Sequence, residues 1–65
     1  MITVNGDPHP HQAGMTVRVL LEQKGFVFPL LVVRINGELV DREAFDRTPI
    51  PDGADVQVLH LMSGG

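Results

Sequence analysis

The 65-residue sequence closes with Leu59-His60-Leu61-Met62-Ser63-Gly64-Gly65, and the α-carboxylate of Gly65 is its best candidate for a reacting group. A glycine pair has no side chain to anchor it and loses the most freedom on ordering, so it is a poor way to finish a fold. It is a good way to deliver a carboxylate into a narrow site, because the peptide stays extended and nothing branches from its backbone. With a pKa of about 3.5 the group is ionised at neutral pH, and it is a weak electrophile until something activates it. Ser63 and Gly64 read as the spacer of that tail, since no His or Asp is placed to turn the Ser63 hydroxyl into a nucleophile.

The other reactive side chains offer less. His9 and His11 are two apart, so on a strand they share a face, but two imidazoles without a third ligand make a poor metal site, and His60 lies far along the chain. No metal is expected. There is no cysteine, hence neither a disulfide nor a thiolate site. Arg34 and Arg42 can meet nearby acids or a partner, and an exposed ion pair contributes only ~0–1 kcal/mol. A net charge of −3 without any Lys/Arg cluster argues against nucleic acid as a partner. Six of the eight acids (Glu38, Asp41, Glu43, Asp46, Asp52, Asp55) fall between residues 38 and 55. That skew reads first as a solvated face, and second as an acidic surface for a basic partner. The opening Met1-Ile2-Thr3-Val4-Asn5 has neither a basic region nor an apolar leader, and nothing approaches the ~20 apolar residues of a membrane span. A cytoplasmic protein that does not enter the membrane is the expectation.

The elements that would position Gly65 follow from local signals. Sixty-five residues make one domain with a marginal core. Residues 1–4 are β-rich, and Asn5-Gly6 is the strongest short hairpin signal, because both residues tolerate positive φ. The next strand is expected over residues 8–13. It carries Pro8 and Pro10 at the same parity, so both missing N–H groups point to one side, and His9 and His11 are left to pair with the first strand. It must be an edge strand. Thr16 is a reasonable N-cap for a helix over residues 17–24, with Val17, Leu20 and Leu21 forming the apolar stripe. Gly25 closes it in a left-handed conformation, with Lys24 suiting the dipole and Phe26 packing back.

Leu30 to Ile35 reads as a strand buried on much of both faces. Asn36-Gly37 turns the chain, and Glu38-Leu39-Val40 returns briefly. Asp41 is placed to cap a single helical turn that ends on Phe45 as a core anchor. Thr48-Pro49-Ile50-Pro51 must be extended. Asp52-Gly53 turns into a final strand over residues 56–62. A hairpin, one helix, a strand, a short connection and a last strand make an α+β chain of four to five strands with the helix packed across a mixed sheet. This is the β-grasp arrangement, in which the first and last strands pair in parallel at the centre. The domain is expected over residues 1–62, with residues 63–65 as a flexible tail.

The second half carries a family pattern. Val33-Arg34-Ile35-Asn36-Gly37-Glu38-Leu39-Val40-Asp41-Arg42, then Asp52-Gly53 before an apolar strand, then Gly64-Gly65, resembles the ubiquitin-like sulfur-carrier proteins of thiamin biosynthesis, the ThiS family. The Thr16-Val17 helix start with Leu20-Leu21 is similar to that family too. Phe45 stands where many relatives have tryptophan, and Ser63 is closer to the related molybdopterin-synthase small subunit. The resemblance implies a protein co-substrate and not an enzyme. In that family an E1-like adenylyltransferase uses ATP to adenylate the terminal glycine, here Gly65. Sulfur from a persulfide donor, a cysteine desulfurase or similar, then replaces AMP. The resulting thiocarboxylate passes its sulfur to a thiazole synthase. No cofactor is expected on the carrier itself.

Three other readings stand beside this one: sulfur carriage for molybdopterin synthesis, a ubiquitin-like modifier that ends in an isopeptide bond, and a non-covalent adaptor that uses its sheet. Strand alternation bears on docking. If Val56 and Val58 face the helix, Leu59 and Leu61 emerge on the far face beside Met62, forming a partner-binding patch next to the tail. The plainer alternative has the strand-end leucines packing under a loop.

Overall fold

Both Asn-Gly pairs turn the chain as two-residue hairpin loops. Asn5 and Gly6 have φ of 53° and 86°, Asn36 and Gly37 of 52° and 85°. Two successive positive φ values make a type I′ turn, whose twist matches that of the strands it joins. The computed structural model describes residues 1–26 and 30–60. Within them five strands form one sheet: β1 (Ile2–Val4), β2 (Asp7–His9), β3 (Leu31–Ile35), β4 (Glu38–Val40) and β5 (Asp55–His60). Their order is β2-β1-β5-β3-β4, with β1 and β5 parallel at the centre and the remaining pairs antiparallel. The β-grasp expectation holds, with β2 on an edge.

The helix α1 (Val17–Lys24) begins and ends where its caps dictate. Thr16 is extended and its Oγ1 accepts from the Val19 amide at 3.4 Å. The amides of Val17 and Arg18, which have no partner inside the helix, donate to the carbonyls of Thr48 and Phe45 at 3.0 and 2.9 Å. At the other end Gly25 is left-handed at φ 72°, and the amides of Gly25 and Phe26 close on Glu22 and Leu21. That pattern is a Schellman closure. Val17, Leu20 and Leu21 are buried, and they meet Ile2, Val4, Val33, Val56 and Val58 from the sheet. Met15, Phe45, Ile50 and Ala54 complete the buried cluster. Residues 48–50 run extended beside the entry to α1, with Ile50 N–H donating to Met15 C=O at 3.0 Å.

Four expectations need correction. The second strand covers Asp7–His9 and not residues 8–13. Its register opposes Val4 to Asp7, Thr3 to Pro8 and Ile2 to His9. In a two-residue hairpin the pair flanking the loop is hydrogen-bonded, so Pro8 falls at the non-bonded site where no donor is needed. His11 does not pair with β1; its ring Nε2 meets the Ile50 carbonyl at 2.7 Å. β3 is not buried on both faces, since Val33 is enclosed while Arg34, pointing the other way, is exposed. Asp41 precedes a 3₁₀ turn (Arg42–Ala44), but its side chain makes no capping bond; the Asp41 carbonyl accepts from Ala44 N–H at 2.8 Å instead.

Candidate functional site

The strand that leads to Gly65 is the central one. Val56 and Val58 point into the core, while Asp55, Gln57 and Leu59 point out through the opposite face. The register with β3 sets Leu59 against Val32 and Gln57 against Arg34, and the next rung of the sheet sets Arg34 against Leu39. Directly opposed residues share a face. The outer face therefore joins an apolar pair, Val32 and Leu59, to Arg34, Gln57 and Leu39. Leu59 is 47% exposed and Leu39 64%. Leu59 thus emerges on the face opposite the core, as strand alternation predicts. Leu61, Met62, Ser63, Gly64 and Gly65 lie outside the described residues, as does the proposed boundary between a domain over 1–62 and a tail over 63–65.

β5 is gripped on both edges by asparagine side chains that the sequence reading treated only as turn formers. β1 supplies regular parallel rungs as far as Asn5, whose N–H donates to Val56 C=O at 2.9 Å, and then the chain turns away. Beyond that point the Asn5 carboxamide takes over. Its Oδ1 accepts from Val58 N–H at 2.8 Å and its Nδ2 donates to Val58 C=O at 3.2 Å. At the other end and on the opposite edge, Asn36 does a related job. Its N–H donates to Asp55 C=O at 2.8 Å and its Oδ1 accepts from Asp55 N–H at 2.9 Å. Only the φ > 0 turn geometry hinted at asparagine here. The contacts themselves are separated by 53 and 19 residues and have no local signal.

Several other polar groups have structural partners. His9 Nε2 donates to Gln23 Oε1 at 2.9 Å, and Gln23 Nε2 donates on to Gln12 Oε1 at 2.8 Å, tying the β2 edge to α1. The two histidines are thus directed to different partners. Among the described residues no group of three His, Cys, Asp or Glu stands together as a metal would require. Three of the six clustered acids have separate partners: Asp46 pairs with Arg18 at 2.8 Å, Asp55 accepts from Thr3 Oγ1 at 2.8 Å, and Asp52 pairs with the Met1 ammonium at 2.5 Å. That ammonium, through its hydrogen bond first and its charge second, holds the Asp52 carboxyl below the usual carboxylate range. Ion pairs among the described residues thus use Arg18 and Met1, not Arg34 or Arg42.

Hollows lined by the described residues flank this scaffold. One of about 190 Å³ sits at the finishing end of β5, lined by Asn5, Phe26, Leu31, Val58 and His60. A larger groove of about 510 Å³ runs along β4 to Pro49 and Pro51, beside the start of β5 and away from the tail end. Neither gathers acid, base and nucleophile into a catalytic set. The ThiS family model matches residues 2–65. This chain belongs to the ThiS family.

Similar proteins agree. The chain is 38% identical to the sulfur carrier protein ThiS of Thermus thermophilus over 66 residues, with all of both chains covered. It is 31% identical over 64 residues to a thiazole synthase of Magnetococcus marinus, covering 98% of this chain but 20% of that protein. The chain therefore spans about a fifth of that relative's length. Among solved structures, a crystal structure of a thiamine biosynthesis protein (ThiS) from Geobacter metallireducens superposes with a TM-score of 0.80 at 37% identity, covering 98% of this chain and 97% of that one. A solution structure of a thiamine biosynthesis protein from the same organism gives 0.73 at 38% identity, covering 98% and 86%. The ThiS-like sheet order and single packed helix described above are thus the family's fold. None of the described helices is long and apolar enough to cross a membrane.

Proposed function

We propose that this ThiS-family protein is the sulfur carrier of thiazole formation in thiamin biosynthesis, a co-substrate whose reacting group is the Gly65 carboxylate. The observation that carries the reading is the path of β5. The central strand, held on both edges, is described as far as His60, five residues before Gly65, beside an exposed apolar patch. In the first step an oxygen of the carboxylate attacks the α-phosphorus of ATP on an E1-like adenylyltransferase, and pyrophosphate leaves. The mixed anhydride so formed has AMP as a good leaving group. The terminal sulfur of a persulfide, from a cysteine desulfurase or similar donor, then attacks the acyl carbon and AMP departs. A second thiol cleaves the S–S bond, which leaves a thiocarboxylate on Gly65 and a disulfide on the donor side. The sulfur atom is now a nucleophile at neutral pH, ready for transfer to a thiazole synthase.

No side chain of the carrier has to gain or lose a proton in these steps. Its work is presentation: Leu59, with Leu61 and Met62, docks the partner, and Ser63 and Gly64 carry Gly65 into a narrow channel without branching. The protein acts in the cytoplasm, where ATP is supplied. Deleting Gly64 and Gly65 tests the reading. The truncated protein is expected to keep its circular dichroism and melting profile and to lose all ATP-dependent pyrophosphate release with the adenylyltransferase. Sulfur transfer by the truncated protein would overturn the reading.

A further inference from the structure

We propose that Asn5 is a positioning residue for the carrier reaction: its carboxamide replaces the rung that β1 no longer provides, and so fixes the line along which β5 carries Gly65 to the activating enzyme. The proposal rests on the carrier reading given above.

A parallel strand beyond Asn5 would offer Val58 one acceptor and one donor in the plane of the sheet. The type I′ turn takes the backbone away at that level, and a side-chain amide, which has the donor, acceptor and planarity of a peptide group, stands in its place. Val58 N–H can only donate, which sets Oδ1 towards it at 2.8 Å and Nδ2 towards the carbonyl at 3.2 Å. Two bonds from one planar group resist rotation of β5 about its axis as well as sliding along it. Val58 is seven residues from Gly65. The Val58 side chain packs in the core, while on the Asn5 side Asn5, Phe26, Leu31, Val58 and His60 line a hollow of about 190 Å³ at this end of the strand. On the other edge β3 pairs with β5 as far as Leu31 opposite His60. Removing the Asn5 carboxamide takes away both of its bonds to Val58 on the edge opposite β3.

Asn36 provides an internal control. It also sits first in a type I′ turn, at φ 52° against 53° for Asn5, and also bonds β5 through its amide, but at Asp55, the end remote from the tail. Glycine adopts either φ freely, so Asn5→Gly and Asn36→Gly each keep the turn and delete one clasp. Purified full-length wild type and both variants would be compared in steady-state pyrophosphate release with the adenylyltransferase and Mg-ATP, at a temperature where circular dichroism shows all of them folded. Asn5→Gly is expected to lower kcat about tenfold and to leave KM within about twofold, because the docking patch is intact while the carboxylate is misdirected. Asn36→Gly is expected to stay within about twofold of wild type in both constants.

Asn5→Asp serves as a second variant if the glycine form does not fold. It keeps the shape and the acceptor for Val58 N–H, but opposes a carboxylate oxygen to the Val58 carbonyl, and kcat should again fall with KM nearly unchanged. Equal kcat losses for the two glycine variants, an effect of Asn5 variants confined to KM, or no effect at all would overturn the proposal. A wild-type protein that releases no pyrophosphate would instead overturn the carrier reading, and this inference with it.

Discussion

Val58 and Leu59 are neighbours on β5 that point through opposite faces, so one substitution applied to each separates folding from docking. Val58 is 7% exposed in the core and Leu59 is 47% exposed on the outer face. Val58→Asp forfeits about 1.5–2 kcal/mol of side-chain burial. It also puts a carboxyl into an apolar layer, which costs about 2 kcal/mol or more even after protonation. A 65-residue domain has a total stability of roughly 3–10 kcal/mol, so Val58→Asp is expected to remove a large share of it, about 4 kcal/mol. For Leu59→Asp about half the burial term applies, ~1 kcal/mol, with up to about 1 kcal/mol more for the poor strand propensity of Asp. That variant should fold. Its exposed half is the part available to a partner, and losing ~1.4 kcal/mol or more there raises KM about tenfold. Urea unfolding followed by circular dichroism gives the stabilities, and pyrophosphate release with the adenylyltransferase gives KM. A Leu59→Asp protein that unfolds like Val58→Asp would place Leu59 in the core. A folded one that reacts with the wild-type KM would remove the outer face from docking.

Other predictions follow from single contacts. Asp52 is held below its ordinary pKa by the Met1 ammonium, so the stability it adds is present above the unfolded value of about 3.9 and is lost as pH falls through the lower folded value. The difference in urea midpoint between wild type and Asp52→Asn should be constant from neutral pH to about pH 5 and close below pH 4; a difference that widens on acidification would reverse the assignment. Phe45→Ala removes a core anchor that is 5% exposed and should cost about 3–5 kcal/mol in chemical denaturation. Gly25→Ala forces a Cβ into φ 72° at the close of α1 and should cost about 1 kcal/mol, read as a lower melting temperature.

The parts of this structure that were legible in the sequence are those whose determinants are local. Thr16, the Val17-Leu20-Leu21 stripe and Gly25 bound α1 within ten residues, and the helix lies where they put it. Both Asn-Gly turns and the Pro8 edge strand follow in the same way, because φ preference and a missing N–H act on a single residue. Residues 8–13 look like one strand in sequence because alternating His and Pro mimic a strand, but β2 stops at His9. The histidine rings are in fact drawn to Gln23 and Ile50, partners distant in the chain. The Leu30-Leu31-Val32-Val33 run reads as doubly buried because Val32, half-buried on the outer face, is as apolar as Val33 in the core. Leu59 could be assigned by parity alone, since Val56 and Val58 needed the core. Asn5 could not be found, because its function depends on where a parallel strand 53 residues away happens to lie.

The most direct measurement of the central claim is the intact mass of the protein after incubation with the adenylyltransferase, Mg-ATP and a persulfide donor, followed by fragmentation of the product. The account predicts exchange of one oxygen for one sulfur, dependent on ATP and confined to Gly65. An unchanged mass, sulfur located on any other residue, or an isopeptide adduct to a lysine of another protein would contradict it.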